Sequence, residues 1–269
     1  FGAVPMRATG ARSHLDVRPY GRQLAPGQRS VLTILDARSG ATETVFATDS
    51  LIEAPNWTPD GAHLIFNAGG QLWRIAAEGG TPRLIDTRPV EDLNNDHVLS
   101  PDGKRIYLSS NDSHLYVVAS EGGTPVRVSN VHAGPWRYYL HGVSPDEREL
   151  AYVAIEGQGP DARRNIFTLP AAGGPDRRLT DFDRPSDGPE YSPDGQWLYF
   201  NAEPDGSADG HSQIFRMRRD ASSVEQLTFD ERVNWFPHVS PDGSTVAYLS
   251  YPPGTLGHPA DRDVVIRSM

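Results

Sequence analysis

One short phrase recurs along this chain: "TPDG" at 58–61, "SPDG" at 100–103, "SPDE" at 144–147, "SPDG" at 192–195 and "SPDG" at 240–243. The prolines of successive copies are 42, 44, 48 and 48 residues apart. Self-similarity at such a period constrains the fold more than any bulk property. Each repeat must be one supersecondary unit that buries its apolar face only by stacking on its neighbours.

The residues after each copy of the phrase repeat too. An alternating run comes first ("HLIFNA", "RIYLSS", "ELAYVA", "WLYFNA", "TVAYLS"), then a second ("QLWRIAA", "HLYVVA", "NIFTLP", "QIFRMR", "DVVIRS"). A glycine turn comes next in three copies, "EGGTP" at 78–82 and 121–125 and "AGGPD" at 172–176, before a short last strand. Each unit therefore reads as four antiparallel strands, A to D, with the phrase as the A–B turn. Proline presets φ at the second turn position and glycine supplies the positive φ at which the next strand resumes. In the third copy Glu147 stands at the glycine place, which requires either a strained residue or a different turn. No amphipathic helix separates the strands, as a parallel α/β fold would need. The expected class is all-β, a β-propeller of four-stranded antiparallel blades.

Residues 30–48 look like strands C and D of a blade lacking A and B, and the last unit stops at Met269 before its D strand. The expectation is a propeller domain over 30–269, six-bladed in plan with the last blade incomplete, preceded by an N-terminal arm over 1–29. The missing A and B strands would come from chain beyond Met269, the favoured source, or from residues 1–29 folding back.

Composition narrows the partners. The formal net charge is -10, with no basic run, which speaks against nucleic acid as a ligand. No stretch is apolar for long enough to span a bilayer. There is no cysteine, so disulfides and thiolate metal sites are excluded. No signal-peptide pattern is visible in the 269 residues.

The tryptophan–"[ST]PDG" repeats followed by "GGTP" resemble the propeller of the TolB family and its TolB-like relatives. The same repeats resemble the propellers of prolyl-oligopeptidase-type peptidases and of oligogalacturonate lyases. The strings "NNDHVLSPDG", "YLHGVSPD", "DGPEYSPDG" and "NWFPHVSPDG" are similar to a bacterial TolB-like subgroup. The resemblance covers about residues 30–269. It implies a propeller, and a periplasmic location if TolB is the guide, with a cytoplasmic one the alternative. The N-terminal α/β domain of TolB and the hydrolase domain of the peptidases have no counterpart here, nor is there a G-x-S-x-G motif.

In a propeller, strand A lines the central channel, and the D–A and B–C loops gather on the top face. The B–C segments at 155–165, 203–213 and 250–263 are long and varied, as binding loops on a rigid scaffold often are. Two residues before each phrase lie Asn56, Val98, Gly142, Glu190 and His238, which strand alternation turns toward the channel. Asp96 shares that parity. His97 and His141 do not, and would reach the bore only where the strand begins or bulges. The candidate ligand-binding set at the channel mouth is Asn56, Asp96, His97, His141, Asp187, Glu190, Asn234 and His238. Within it, His97, His141, Glu190 and His238 carry the residue types to hold a divalent metal ion. Imidazoles and carboxylates together also suit acid–base work on a polar substrate. The plainer account is that such groups hold ordered water and satisfy strand ends.

Three functions compete. The first, and favoured, is a non-catalytic propeller binding a protein or peptide at the top of its channel. The second is a metal-assisted lyase or hydrolase acting on an acidic oligosaccharide, like the oligogalacturonate lyases. The third is a structural scaffold in a larger assembly. No catalytic residue is assigned on the sequence, and no cofactor beyond a possible divalent metal ion.

Overall fold

The computed structural model describes residues 15, 17, 23–257 and 263–269. The expected N-terminal arm lies mostly outside the described residues. Five sheets each begin with the strand that leads into a copy of the phrase. The first holds β3 (Glu53–Trp57), β4 (His63–Ala68), β5 (Gln71–Ala76) and β6 (Arg83–Ile85). The second holds β7 (Leu93–Leu99), β8 (Arg105–Ser110), β9 (Leu115–Ala119) and β10 (Val126–Arg127). The third holds β11 (Trp136–Val143), β12 (Glu149–Glu156), β13 (Arg163–Pro170) and β14 (Arg177–Arg178). The fourth holds β15 (Ser186–Tyr191), β16 (Trp197–Ala202), β17 (Gln213–Arg218) and β18 (Glu225–Gln226). The fifth has three strands, β19 (Val233–Val239), β20 (Val246–Tyr251) and β21 (Val265–Ser268). The inner strands β3, β7, β11, β15 and β19 pack each against the next around a channel.

The blade count corrects the sequence reading: among the described residues the propeller has five blades, not six. Residues 30–48 form β1 (Ser30–Leu35) and β2 (Thr42–Thr48), which among the described residues pair with each other alone. Among those residues this two-strand sheet has no inner strand facing the channel. It rests on the first blade, where Leu32, Val45 and Phe46 join Leu64, Phe66, Trp73 and Ile75 in one apolar cluster. Repeat spacing marks two strands as half a blade, but a blade is defined by the inner strand that packs beside its neighbours, and that part is not encoded in 30–48.

The phrase recurs for reasons of side-chain chemistry as well as backbone shape. In every copy the Ser or Thr hydroxyl donates to the Asp carboxylate two residues on, at 2.6, 2.7, 2.6, 2.5 and 2.7 Å for Thr58, Ser100, Ser144, Ser192 and Ser240. The residue at the fourth place has φ between 54 and 71°, Glu147 included. Glu147 is thus a left-handed residue other than glycine. Its carboxylate is anchored from the second blade by Arg105 Nη2 at 2.5 Å and by the Tyr107 hydroxyl at 2.9 Å.

The second strand of each blade is apolar on both faces because both are covered by neighbouring blades; β4, β8, β12 and β16 accordingly run nearly continuously buried. Of the apolar residues just before the phrase, Leu99 and Tyr191 are buried, whereas Trp57 is 47% exposed.

Candidate functional site

The five inner strands share a defect that places the site. Each β3, β7, β11, β15 and β19 carries a register shift against its partner, at Glu53/Asn56, Leu93/His97, Leu140/Gly142, Asp187/Glu190 and Trp235/His238. In three blades the bulge is a left-handed residue followed by proline: Ala54 (φ 47°) before Pro55, Gly188 (φ 62°) before Pro189 and Phe236 (φ 53°) before Pro237. Proline has no N–H for the ladder, so it belongs at such a break. In the second and third blades the residue at the proline place is His97 or His141. An extra residue on one strand reverses side-chain parity beyond it. His141, which sits at the shift itself, is thereby brought to the channel; on β7 the shift is two residues and precedes His97, which pairs regularly with Leu108 and also lines the cavity.

The bulges surround a cavity of about 910 Å³. Asn56, Asp96, His97, His141, Asp187, Glu190 and His238 line it, seven of the eight residues singled out by the sequence. Asn234 is placed elsewhere: it is fully buried between β19 and β20, bonded to Ser250, Thr228 and Asp230, where it fixes a strand end. The cavity opens toward the top face, since Ile155 and Arg164, paired across β12 and β13, form part of its wall.

Polar groups in the cavity pair across blades. His238 Nδ1 lies 2.5 Å from Glu190 Oε2, whose other oxygen accepts from the Val239 N–H at 2.9 Å. His141 Nε2 lies 3.2 Å from Asp187 Oδ1. Asn56 Nδ2 donates to the His97 carbonyl at 3.0 Å and faces His97 Nε2 at 3.2 Å. The negative charge of Glu190 and the hydrogen bond to it raise the His238 pKa above the ordinary histidine value against the opposing charge of His141; the side chain itself is 69% exposed. Burial alone would lower that of His141, but the hydrogen bond to Asp187 and the charges of Asp96, Asp187 and Glu190 outweigh it, and it too is raised. His97, only 3% exposed, is pushed down to about 4 by burial and stays neutral.

Among the described residues, no group of three or more His, Cys, Asp or Glu side chains is arranged to hold a metal ion. The proposed ligands His97, His141, Glu190 and His238 do share the cavity; within it His238 pairs with Glu190, His141 with Asp187, and His97 faces Asn56.

Two features escaped the sequence. Phe236 stacks on His141, with ring centroids 5.7 Å apart and 19° between planes. It is an aromatic residue held in the left-handed region, where a Cβ is costly. Three side chains at one position of the second strand clasp the next blade: Asn67 Nδ2 donates to Asn94 O at 2.6 Å, Ser109 Oγ accepts from Leu140 N at 2.8 Å, and Asn201 Oδ1 accepts from Phe236 N at 3.1 Å. The shared fifth place in "HLIFNA", "RIYLSS" and "WLYFNA" was the signal that could have revealed them.

Comparison with known proteins bears on the whole chain. The family model described as the TolB beta propeller domain matches residues 141–257. The protein Atu1656 of Agrobacterium fabrum is 37% identical over 270 residues, covering 98% of this chain and 86% of that protein. This chain belongs to the TolB-like β-propeller family. A solved structure of a TolB candidate from Agrobacterium tumefaciens superposes with a TM-score of 0.81 at 37% identity, over 90% of this chain and 84% of that one. TolB from Acinetobacter baumannii gives a TM-score of 0.65 at 19% identity, over 82% of this chain and 56% of that one. An oligogalacturonate lyase in complex with manganese gives 0.61 at 18% identity, over 86% and 69%. The last two likenesses are likenesses of fold. As a TolB-like propeller the chain has its repeats explained, while its ligand must be read from the cavity.

Proposed function

We propose that this TolB-like propeller is a binding module that receives a peptide segment of a protein partner in its top-face channel. The observation that carries this reading is the cavity itself. It is about 910 Å³, open at the top, and built from the bulged inner strands of all five blades. Its wall combines apolar surface from Val153, Ile155, Phe236 and Leu249 with a few fixed polar groups, the usual make-up of a site that orients a ligand. The inner strands also break their own ladders at the bulges, which suits recognition of extended backbone at a strand edge.

A metal-assisted lyase or hydrolase acting on an acidic oligosaccharide is the second reading, favoured by the two imidazole–carboxylate pairs. Against it, Asp96, Asp187 and Glu190 put three carboxylates in the wall, an electrostatic cost for an anionic substrate.

The test is a peptide-display selection on the wild-type protein followed by calorimetry of the enriched sequences. They should bind wild type and lose binding to His238→Trp, which puts an indole into the open channel while the fold, checked by its melting curve, is kept. Binding to both proteins alike would reject the channel as the site. In parallel, Mn²⁺ titration and an assay for unsaturated products from oligogalacturonides examine the second reading; turnover abolished by Glu190→Gln would replace the first reading with it.

A further inference from the structure

We infer that the channel selects a peptide bearing a positively charged group, a lysine or arginine side chain, and seats that group between the carboxylates of Asp96, Asp187 and Glu190 against the ring of Phe236. This deepens, and rests on, the peptide-binding reading. The carboxylates come from two different blades, β7 and β15, and face one cavity. Across it the fixed positive charge is Arg164, exposed at the top end of β13. His141 and His238 can balance the remainder only while protonated. A cation from the ligand can take their place beside Asp187 and Glu190.

The apolar wall suits the rest of such a ligand. Phe236 offers an aromatic face in the same cavity, and a guanidinium or ammonium over a phenyl ring is attractive. His97 lines the cavity and is almost fully buried, its ring in reach of the Ile65 and Asn95 carbonyls, so it shapes the wall and stays uncharged. A basic side chain thus answers both the carboxylates and the ring of Phe236.

The pH dependence is set by the groups facing each imidazole. His141 on β11 faces Asp96, Asp187 and Glu190, with His238 and Arg164 in the same cavity; His238 on β19 faces Glu190 and His141. As pH rises through the raised histidine values, the imidazoles lose their protons and cease to compete for the carboxylates. Binding of a basic peptide therefore tightens with pH.

The experiment uses four end-capped alanine pentapeptides with central arginine, lysine, glutamine or glutamate, titrated into the whole protein by NMR and calorimetry at pH 6 and pH 8.5. The expected order is arginine and lysine over glutamine over glutamate. The basic peptides should gain about tenfold over glutamine, the scale of one partly screened charge pair. That gain should widen at the higher pH and vanish in Asp187→Asn, Glu190→Gln. Equal binding of the basic and glutamine peptides, or a gain that shrinks as pH rises, overturns the charge selection and leaves peptide binding standing. Failure of all four, with display-selected peptides also failing, rejects the peptide reading itself. Should the double variant not fold, the wild-type pH comparison still decides.

Discussion

His238 and Glu190 sit on adjacent blades with Nδ1 and Oε2 2.5 Å apart, so the channel wall is tied together by a pair whose strength depends on one proton. His141 and Asp187 repeat the arrangement one blade earlier at 3.2 Å. Both imidazoles titrate above the usual histidine value in the folded protein. Such groups add stability that is complete below the unfolded value near 6.5 and is lost as pH rises through the folded value. The melting temperature of wild type should therefore fall relative to a His141→Gln, His238→Gln variant as pH climbs from 6 to 9. A difference between the two proteins that stays constant over this range would contradict the assignment.

His97 must behave in the opposite sense. Its folded value is depressed to about 4 by burial, so it favours the folded state above 6.5 and penalises it as pH falls toward 4. The contribution is on the order of 3 kcal/mol for a group so fully enclosed. In a proton NMR titration its ring signals should stay at their neutral positions until the pH approaches 4. His97→Gln should flatten the acid limb of the stability curve. Ring signals that move at the ordinary histidine value would show His97 to be open to water.

The contrast between these histidines marks how far the sequence could be read. The five phrases disclosed strands, turns and blades because hydroxyl, proline and carboxylate each perform a local task that recurs. The blade count failed because β1 and β2 have the alternation of outer strands but, among the described residues, no inner strand to seat them at the channel. At the site, the cluster was legible as residue types near each phrase. Strict period-2 counting put Asn234 in the channel and turned His141 away, since it does not register a bulge. Pro55, Pro189 and Pro237 were the visible sign of that bulge. The left-handed Phe236 had no such sign, because nothing in its own side chain favours the conformation. It is imposed by neighbours: Asn201 holds its N–H, and Gly188 leaves room for its ring, which would come within 2.9 Å of an added Cβ.

The turn phrases should affect stability and leave binding alone. Gly103 has φ 70°, and a Cβ there would lie 3.1 Å from Pro59 Cδ. Gly103→Val should cost about 1–2 kcal/mol or somewhat more, from the left-handed conformation and the contact together. Glu147→Gly is the reverse experiment. It relieves the same conformation but forfeits the bonds to Arg105 and Tyr107, so its net effect should stay within about 1 kcal/mol of zero. Chemical denaturation measures both. Loss of peptide binding by a fully folded Gly103→Val protein would undo the division between a structural bottom and a binding top.

The polar knot in the third blade should prove structural in the same way. The Asp176 carboxylate accepts from the Tyr152 hydroxyl at 2.8 Å, the Tyr138 hydroxyl at 3.0 Å and Asn130 Nδ2 at 2.7 Å. Asp176→Ala leaves the Tyr152 hydroxyl without its acceptor, while Asn130 keeps the Gly174 carbonyl and Tyr138 keeps His132, and should cost about 1–3 kcal/mol. Calorimetric affinity for a channel peptide should be unchanged at temperatures where the variant is folded, because none of these groups lines the cavity.

Phe236 supplies the sharpest separation of fold from function. Asparagine tolerates the left-handed region better than phenylalanine, so Phe236→Asn should recover roughly 1 kcal/mol of backbone strain while giving up the stacking on His141. The two changes are of similar size, and the melting temperature should move little. Affinity for the arginine pentapeptide should drop several-fold, as loss of a cation–π contact worth about 1 kcal/mol implies, while the glutamine peptide is affected less. Asn201→Ala acts on the same bulge from behind. It strands the half-buried Phe236 N–H, should cost about 1–2 kcal/mol, and should weaken both peptides equally because it disorders the wall without touching the ligand. If instead Phe236→Asn lowers stability as much as Asn201→Ala and leaves the arginine preference intact, Phe236 is a packing residue and the cation is held by the carboxylates alone.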